Sequence, residues 1–267
     1  MIESFIIVSL LGLSLGSFIN VCGYRLPRGV SVLALRSFCP SCNHCLTWYE
    51  LIPVAGYTLN RGRCRYCKER ISPSYPIVEI ISAAILIVLL LKYTITLEFA
   101  LSSIFCLLMV LIAIIDWKHL IIPNQIVIMG FIFGLAMKAL VNSNVLVHAI
   151  ISSIGSLVMV AIILLLSNLF FKKETMGWGD VKLAGVIGLF LGFQNFLIIL
   201  WMAAIVGTLY ALTRSGKENA HFAIGNLQSE IDFKIPFGSF LAVAGCIVLY
   251  FQETISELIQ SWLTYAQ

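Results

Sequence analysis

Residues 97–124 read LEFALSSIFCLLMVLIAIIDWKHLIIPN. From Leu97 to Ile115 the stretch is almost wholly apolar, then it meets Asp116, Trp117 and Lys118, and Pro123 stops it. A run of this length matches the roughly 20 residues that an α-helix needs to cross a hydrocarbon core. The segment reads as a membrane span that ends in an acid, and the fold follows from how many others accompany it.

Working outward, runs of similar character recur at 4–24, 75–91, 97–115, 125–141, 145–171, 180–193, 196–213 and 235–251. The chain of 267 residues is 60% hydrophobic and 11% charged, with a mean hydropathy of +0.99. That excludes an ordinary soluble domain. The fold expected is an all-α polytopic membrane protein of about eight transmembrane helices with a small cytoplasmic loop domain. Gly192-Phe193-Gln194-Asn195 interrupts a run too long for one upright span and short for two, so its first half either crosses or only dips into the membrane. Met1-Ile2-Glu3-Ser4 lacks the basic start of a cleaved signal peptide, so the first run is read as a retained span. The divisions expected are a first span at 1–24, a cysteine-rich domain at 25–74, a membrane domain at 75–251 and a C-terminal tail at 252–267.

Orientation follows from the basic residues, which collect on the cytoplasmic side. The loop after the first span carries Arg25, Arg28, Arg36, Arg61, Arg63, Arg65, Lys68 and Arg70 against Glu50 and Glu69. Placing it inside also puts Lys118, Lys172, Lys173, Lys182, Arg214, Lys217 and Lys234 inside. Only Lys92 and Lys138 remain near the outer ends, so 15 of the 17 basic residues obey the rule.

Within that loop, Cys39-x-x-Cys42 and Cys64-x-x-Cys67 lie 21 residues apart. Paired cysteines at this spacing make knuckles that offer four thiolates to one tetrahedral Zn2+. Disulfides are the alternative, disfavoured in a reducing cytoplasm, and His44 or Cys45 is a substitute ligand to consider. Cys22, Cys106 and Cys246 fall inside apolar spans and read as small buried hydrophobes. About 50 residues is long for a mere connector, so the loop is expected to have its own task. Its arginines also suit anionic lipid headgroups. Gly12-x-x-x-Gly16 in the first span reads as a close helix-packing face.

The chain has three aspartates, Asp116, Asp180 and Asp232. Asp180 opens a span in MGWGDVKL, where an acid serves either as a helix N-cap or as a functional carboxyl. Asp116 ends a span, where the helix dipole disfavours an anion and burial penalises it. A position that costs stability points to a role, with an ion pair to Lys118 as the structural alternative. Both acids fall at the cytoplasmic boundary. Together they fit aspartic-protease chemistry, in which two carboxyls share a proton while water attacks a peptide carbonyl. Gly177 and Gly179, flanking Trp178, allow backbone to approach a substrate, and Lys182 is placed to steady the acids or the substrate. Glu218, His221, Glu230 and Asp232 read as a solvated loop face. Glu79, inside a span, is a functional candidate by its position. No His-Glu-x-x-His motif or dinucleotide fingerprint occurs, and no nucleic-acid partner is expected.

These residues resemble the type IV prepilin peptidases (prepilin leader peptidase/N-methyltransferases). The resemblance runs in order through GSFINVCGYRLPRG, the double Cys-x-x-Cys loop with LTWYELIPVAGYTLNRGRCRYC, ISPSYPIVE, DWKHLIIPN, GWGDVKLAG and IPFGSFLAVAG. It implies a multi-pass protein of the bacterial cell inner membrane with its active sites facing the cytoplasm. As a Gly-x-Gly-Asp aspartic endopeptidase, it would remove the leader of type IV prepilins or type II secretion pseudopilins after glycine. Asp116 and Asp180 fall on the catalytic pair. It also implies N-methylation of the new N-terminus from S-adenosyl-L-methionine. Gly62 matches a position tied to methyl transfer, and Glu50 and Glu79 are grouped with it. One departure is Ser74, where many members carry Arg. Two other readings stand beside this one: a peptidase alone, with the zinc loop as scaffold, and a transporter with a zinc-binding domain. Transporters place charge near mid-bilayer, whereas the acids here collect at one boundary. The oligomeric state is left open.

Overall fold

The computed structural model describes residues 2–32, 36–171, 177–222 and 235–265. Lys172, Lys173, Glu230, Asp232 and Lys234 lie outside the described residues, as do the side chains of Glu218 and His221. Nine α-helices run through what is described: α1 (Ile2–Arg25), α2 (Ala55–Leu59), α3 (Ser74–Tyr93), α4 (Leu97–His119), α5 (Asn124–Val141), α6 (Ser143–Phe171), α7 (Trp178–Leu191), α8 (Phe193–Phe222) and α9 (Phe237–Tyr265). The described residues contain no strand, only two isolated β-bridges in the cysteine loop.

Eight long helices stand where eight spans are expected, and seven are long and apolar enough to cross a membrane. The eighth, α7, has 14 residues; at 1.5 Å per residue it covers about 21 Å, short of a hydrocarbon core of about 30 Å. Gly192, at φ 85°, separates it from α8. Two helices run past their expected ends. α8 continues through Arg214-Ser215-Gly216-Lys217 to Phe222, and α9 continues through the expected tail to Tyr265. Both extensions are polar but contain no proline and good helix formers such as Lys217, Glu218, Glu253 and Glu257, so helix propagation outlasts the apolar run.

Two compact units divide the chain, at 1–111 and 112–267. In the first, α1 and α3 lie antiparallel with a single register. Gly12 faces Ala83, Gly16 faces Glu79 and Ser82, and the Asn20 amide donates to the Tyr75 carbonyl at 3.0 Å. Each step advances one turn on both helices. A Cβ on Gly12 would stand 2.5 Å from the Ala83 Cα, and one on Gly16 2.6 Å from the Glu79 Cα. Lipid tails are as apolar as leucine, so close backbone approach selects this register. Val8, Leu86 and Leu90 form the buried cluster beside it, with Phe99 and Leu107 from the start of α4 packed on.

In the second unit α7 is the centre. From Val181 to Leu191 all residues except Lys182 and Phe190 are buried, as fits a helix that is apolar all round. Gly130 and Gly134 of α5 accept Val186 and Leu189, while Ser153 of α6 donates to the Gly185 carbonyl at 2.8 Å. Gly188 leaves space that Ser156 occupies.

Gly16→Ala should therefore cost about 1–3 kcal/mol, since backbone must move to admit a methyl group. Gly207→Ala, whose Cβ would meet Phe240 at 3.5 Å, should be close to neutral. Thermal unfolding in detergent of the two variants checks the contrast.

Candidate active site

The end of α4 supplies the first acid. Asp116 lies in its last turn and is buried, and its carbonyl accepts the Leu120 N–H at 2.9 Å. Leu120 takes the left-handed conformation, φ 54°, that closes a helix. A four-residue connection, 120–123, then leads to α5, with Pro123 as its N-cap. This tight link carries Ile122 in front of the acid.

The second acid opens α7 without being its N-cap, one of the two roles open to it in the sequence. Gly177, extended at φ −80°, is the N-cap of α7, and Asp180 is three residues further on. From this third position the Asp180 carboxyl still meets the backbone of Gly177, as the acid of a capping box does, and the positive end of the helix dipole favours an acid in this first turn. The carboxyl is buried. The two glycines differ in their surroundings. A Cβ on Gly177 would make only ordinary contact, 3.8 Å from Asp180 Oδ2, whereas one on Gly179 would press on Ile122 at 3.0 Å.

The third wall is the start of α9. A Cβ on Gly238 would lie 3.1 Å from Asp116 Oδ2, 3.1 Å from Asp180 Oδ1 and 2.9 Å from Ile122 Cδ1. Asp116 and Asp180, 64 positions apart in sequence, thus converge on one glycine. Ser239 follows. Its N–H donates to Asp116 Oδ2 at 2.6 Å, and its hydroxyl, 3.0 Å from both that oxygen and the Ala113 carbonyl, has one proton to give. Gly238, Ser239 and Ile122 were not singled out by sequence reasoning. The signal available was Pro236-Phe237-Gly238-Ser239 heading the last apolar run, a helix start whose glycine has no local need of being one.

Both lysines sit on exposed faces of their helices. Lys118 is exposed on the turn that carries buried Asp116. Lys182 donates to Asn124 Oδ1 at 2.8 Å, bracing α7 against the start of α5. Trp117, Tyr210 and Phe240 form an aromatic cluster with ring centroids 5.6 to 6.4 Å apart. Two of its members are the chain neighbours of Asp116 and Ser239.

In the first unit the cysteine loop folds as two copies of one knuckle. Phe38 bridges Cys45, and Arg63 bridges Arg70. The Asn43 N–H returns to the Cys39 carbonyl at 2.8 Å, and the Lys68 N–H to the Cys64 carbonyl at 3.0 Å. Asn43 and Lys68 are both left-handed. The Sγ atoms of Cys39, Cys42, Cys64 and Cys67 lie within 4.8 Å of one another, with Cys39 3.8 Å from Cys67 and Cys42 4.0 Å from Cys64. Four bonds of about 2.3 Å to one zinc set sulfurs about 3.8 Å apart, so the set fits a closed tetrahedral site. Burial opposes the Cys39 thiolate, but hydrogen bonds from Cys42 and Ser41 outweigh it and hold the thiol near 7. At Cys67 the Glu69 amide favours the thiolate, yet burial and the neighbouring thiols push it up to about 12. A metal bound by this set would displace the remaining thiol protons. His44 and Cys45 stand apart from the cluster; His44 stacks on Tyr66, ring centroids 3.4 Å apart.

Gly62, Glu50 and Glu79 are joined through α2. Glu50 closes a capping box, accepting from the Thr47 N–H at 2.9 Å and the Thr47 hydroxyl at 2.6 Å. Burial works against its charge, but Thr47, Arg65 and His44 together hold it below the usual carboxylate range. Gly56 packs on the Glu50 carbonyl, where no side chain fits. Gly62, at φ 66°, lies under the Tyr57 ring, whose Oη would be 2.8 Å from a Cβ. Glu79, buried in α3, accepts the Val54 N–H at 2.7 Å.

Two family models cover most of this architecture. The bacterial peptidase A24 N-terminal domain matches residues 10–93, and the type IV leader peptidase family matches residues 103–212. Among curated relatives named prepilin leader peptidase/N-methyltransferase, that of Aeromonas hydrophila is 31% identical over 279 residues, 95% of this chain and 92% of its own. That of Aeromonas salmonicida (strain A449) is 30% identical, covering 95% and 92%, and that of Bacillus subtilis (strain 168) is 30% identical, covering 76% and 80%. No solved structure matches. A chain with these two domains in this order, and with relatives this similar along nearly its whole length, belongs to the type IV leader peptidase family.

Proposed function

We propose that this chain cleaves the leader peptide of type IV prepilins or type II secretion pseudopilins after glycine, at the cytoplasmic face of the inner membrane, and then methylates the new N-terminus. The observation that carries the reading is the convergence of Asp116 and Asp180 on Gly238. Two carboxyls around one enclosed point share a proton: one takes a proton from the attacking water while the other, protonated, donates to the scissile carbonyl. On release, the proton bound by the first passes to the leaving amine. Gly238 packs its bare backbone against both carboxyls, and exposed Gly177 leaves backbone accessible at the edge of α7 beside Asp180, which suits an extended peptide. Ser239 orients the Asp116 carboxyl through its N–H. Lys118 and Lys182 support the site from outside the carboxyl pair, Lys182 by bracing Asn124.

For the second activity, S-adenosyl-L-methionine supplies an electrophilic methyl group when bound. The chain's contribution is the cysteine loop with Gly62, Glu50 and Glu79. Cys39, Cys42, Cys64 and Cys67 would hold Zn2+ with no open position, which makes the metal a fastener rather than a catalyst. In this reading the basic loop faces the cytoplasm and anionic lipid, which the distribution of lysine and arginine supports. The division into a first span, a cysteine-rich domain, a peptidase domain and a tail belongs to the same reading.

Membranes containing the chain, incubated with a type IV prepilin and labelled S-adenosyl-L-methionine, should yield a product cleaved after glycine and carrying one methyl group by mass spectrometry. Asp116→Asn and Asp180→Asn, made singly, should each lower cleavage by roughly a thousandfold or more, the scale of losing an acid or base that takes part in proton transfer. Full cleavage by either variant would end the catalytic assignment, and cleaved but unlabelled wild-type product would reduce the function to proteolysis. Metal analysis of the purified chain should find one zinc per chain, and none after Cys39→Ser with Cys64→Ser.

A further inference from the structure

Glu79 is only 7% exposed, six positions into a membrane helix. A carboxyl there is costly, and such residues persist where they have work to do. Its Oε2 receives the N–H of Val54, and Val54 has φ 60° and ψ −45°. Around it the Ala55 N–H donates to the Pro53 carbonyl at 2.6 Å. That closes a three-residue γ-turn of the rare, strained hand, with a β-branched residue at its centre, where positive φ is a genuine outlier. Conformations of this kind survive when their surroundings over-determine them. Here the surroundings are Glu79, itself clamped from behind by Gly16 of α1.

The turn is also the N-cap of α2, whose other end delivers Arg61 and Gly62, both left-handed. The Gly62 N–H returns to the Tyr57 carbonyl of α2 at 2.9 Å, and its own carbonyl receives the Ile71 N–H at 2.8 Å, on the second knuckle. A continuous path thus runs from a membrane carboxyl through a strained turn and one short helix to the cysteine cluster. We propose that Glu79 is a positioning residue of the methyl-transfer site: its carboxyl holds the Val54 turn and so aims α2 and Gly62, without itself touching the methyl donor. This rests on the reading that the cysteine loop serves methyl transfer.

The test uses the full chain in membranes. Glu79→Ala should lower methyl transfer roughly tenfold or more, the scale of losing a hydrogen bond to a charged group. Cleavage of the same substrate, whose acids lie on other helices, should be unchanged. Glu79→Gln, whose amide oxygen still accepts the Val54 N–H, should retain most methyl transfer. Adding Val54→Gly to Glu79→Ala should recover part of the loss, because glycine adopts positive φ freely. Hydrogen exchange across residues 54–62 should quicken in Glu79→Ala and stay near wild type in Glu79→Gln. Unchanged methyl transfer in Glu79→Ala, a Glu79→Gln as inactive as Glu79→Ala, or unchanged exchange would each overturn the proposal. If the wild-type chain cleaves without methylating, the methyl-transfer reading itself fails, and the exchange measurement still decides whether Glu79 holds the turn.

Discussion

A hydrogen atom at Gly238, where any other residue carries carbon, is the constraint on which the second unit turns. Asp116 comes from the end of one helix and Asp180 from the start of another, and the start of α9 closes over both. A methyl group at Gly238 would lie 3.1 Å from an oxygen of each acid, so the carboxyls close up only because that volume is empty. Ser239 then converts proximity into orientation, its backbone N–H fixing one oxygen of Asp116 at 2.6 Å. The three helix ends need one another. Burial makes either carboxyl alone expensive; the Ser239 N–H that offsets this at Asp116 is in place only when α9 is, whereas Asp180 has the Gly177 backbone of its own helix start.

Elsewhere the chain works under the rule that, inside lipid, apolar burial does not distinguish a neighbouring helix from a lipid tail. Specificity falls to small residues and to a few side-chain hydrogen bonds. Gly12 and Gly16 set α1 on α3; Gly130 and Gly134 of α5 and Gly185 and Gly188 of α7 itself let α7 pack closely with its neighbours; Asn20 and Ser153 each donate to a carbonyl of the facing helix. The cysteine loop solves the opposite problem. It has little apolar interior of its own, and four converging thiols stand where a core would be.

Much of this was legible in the sequence because the determinants are local. Apolar run length located the eight long helices, and Cys-x-x-Cys spacing located the metal-binding geometry. The acids at one boundary followed from where the runs stop. What escaped depends on contacts far apart in the chain. Nothing near Gly238 announces that Asp116, 122 positions earlier, will need its missing side chain. Lys182 follows Asp180 closely in sequence, yet helical rotation turns it to Asn124. Asp180 reads as an N-cap until the geometry gives that place to Gly177. The polar extensions of α8 and α9 were hidden because hydropathy marks the bilayer, whereas a helix ends where its backbone finds a stop.

Ile122 carries a consequence of its own. Its side chain stands between Gly179 and Gly238, the backbones beside the two acids, and it reaches that place on a connection of only four residues. The approach of those two backbones, and with it the surroundings of both carboxyls, is therefore set by the same few methyl groups. A branched aliphatic here acts as a shim, so the shape of peptide admitted and the coupling of the acids cannot be tuned apart.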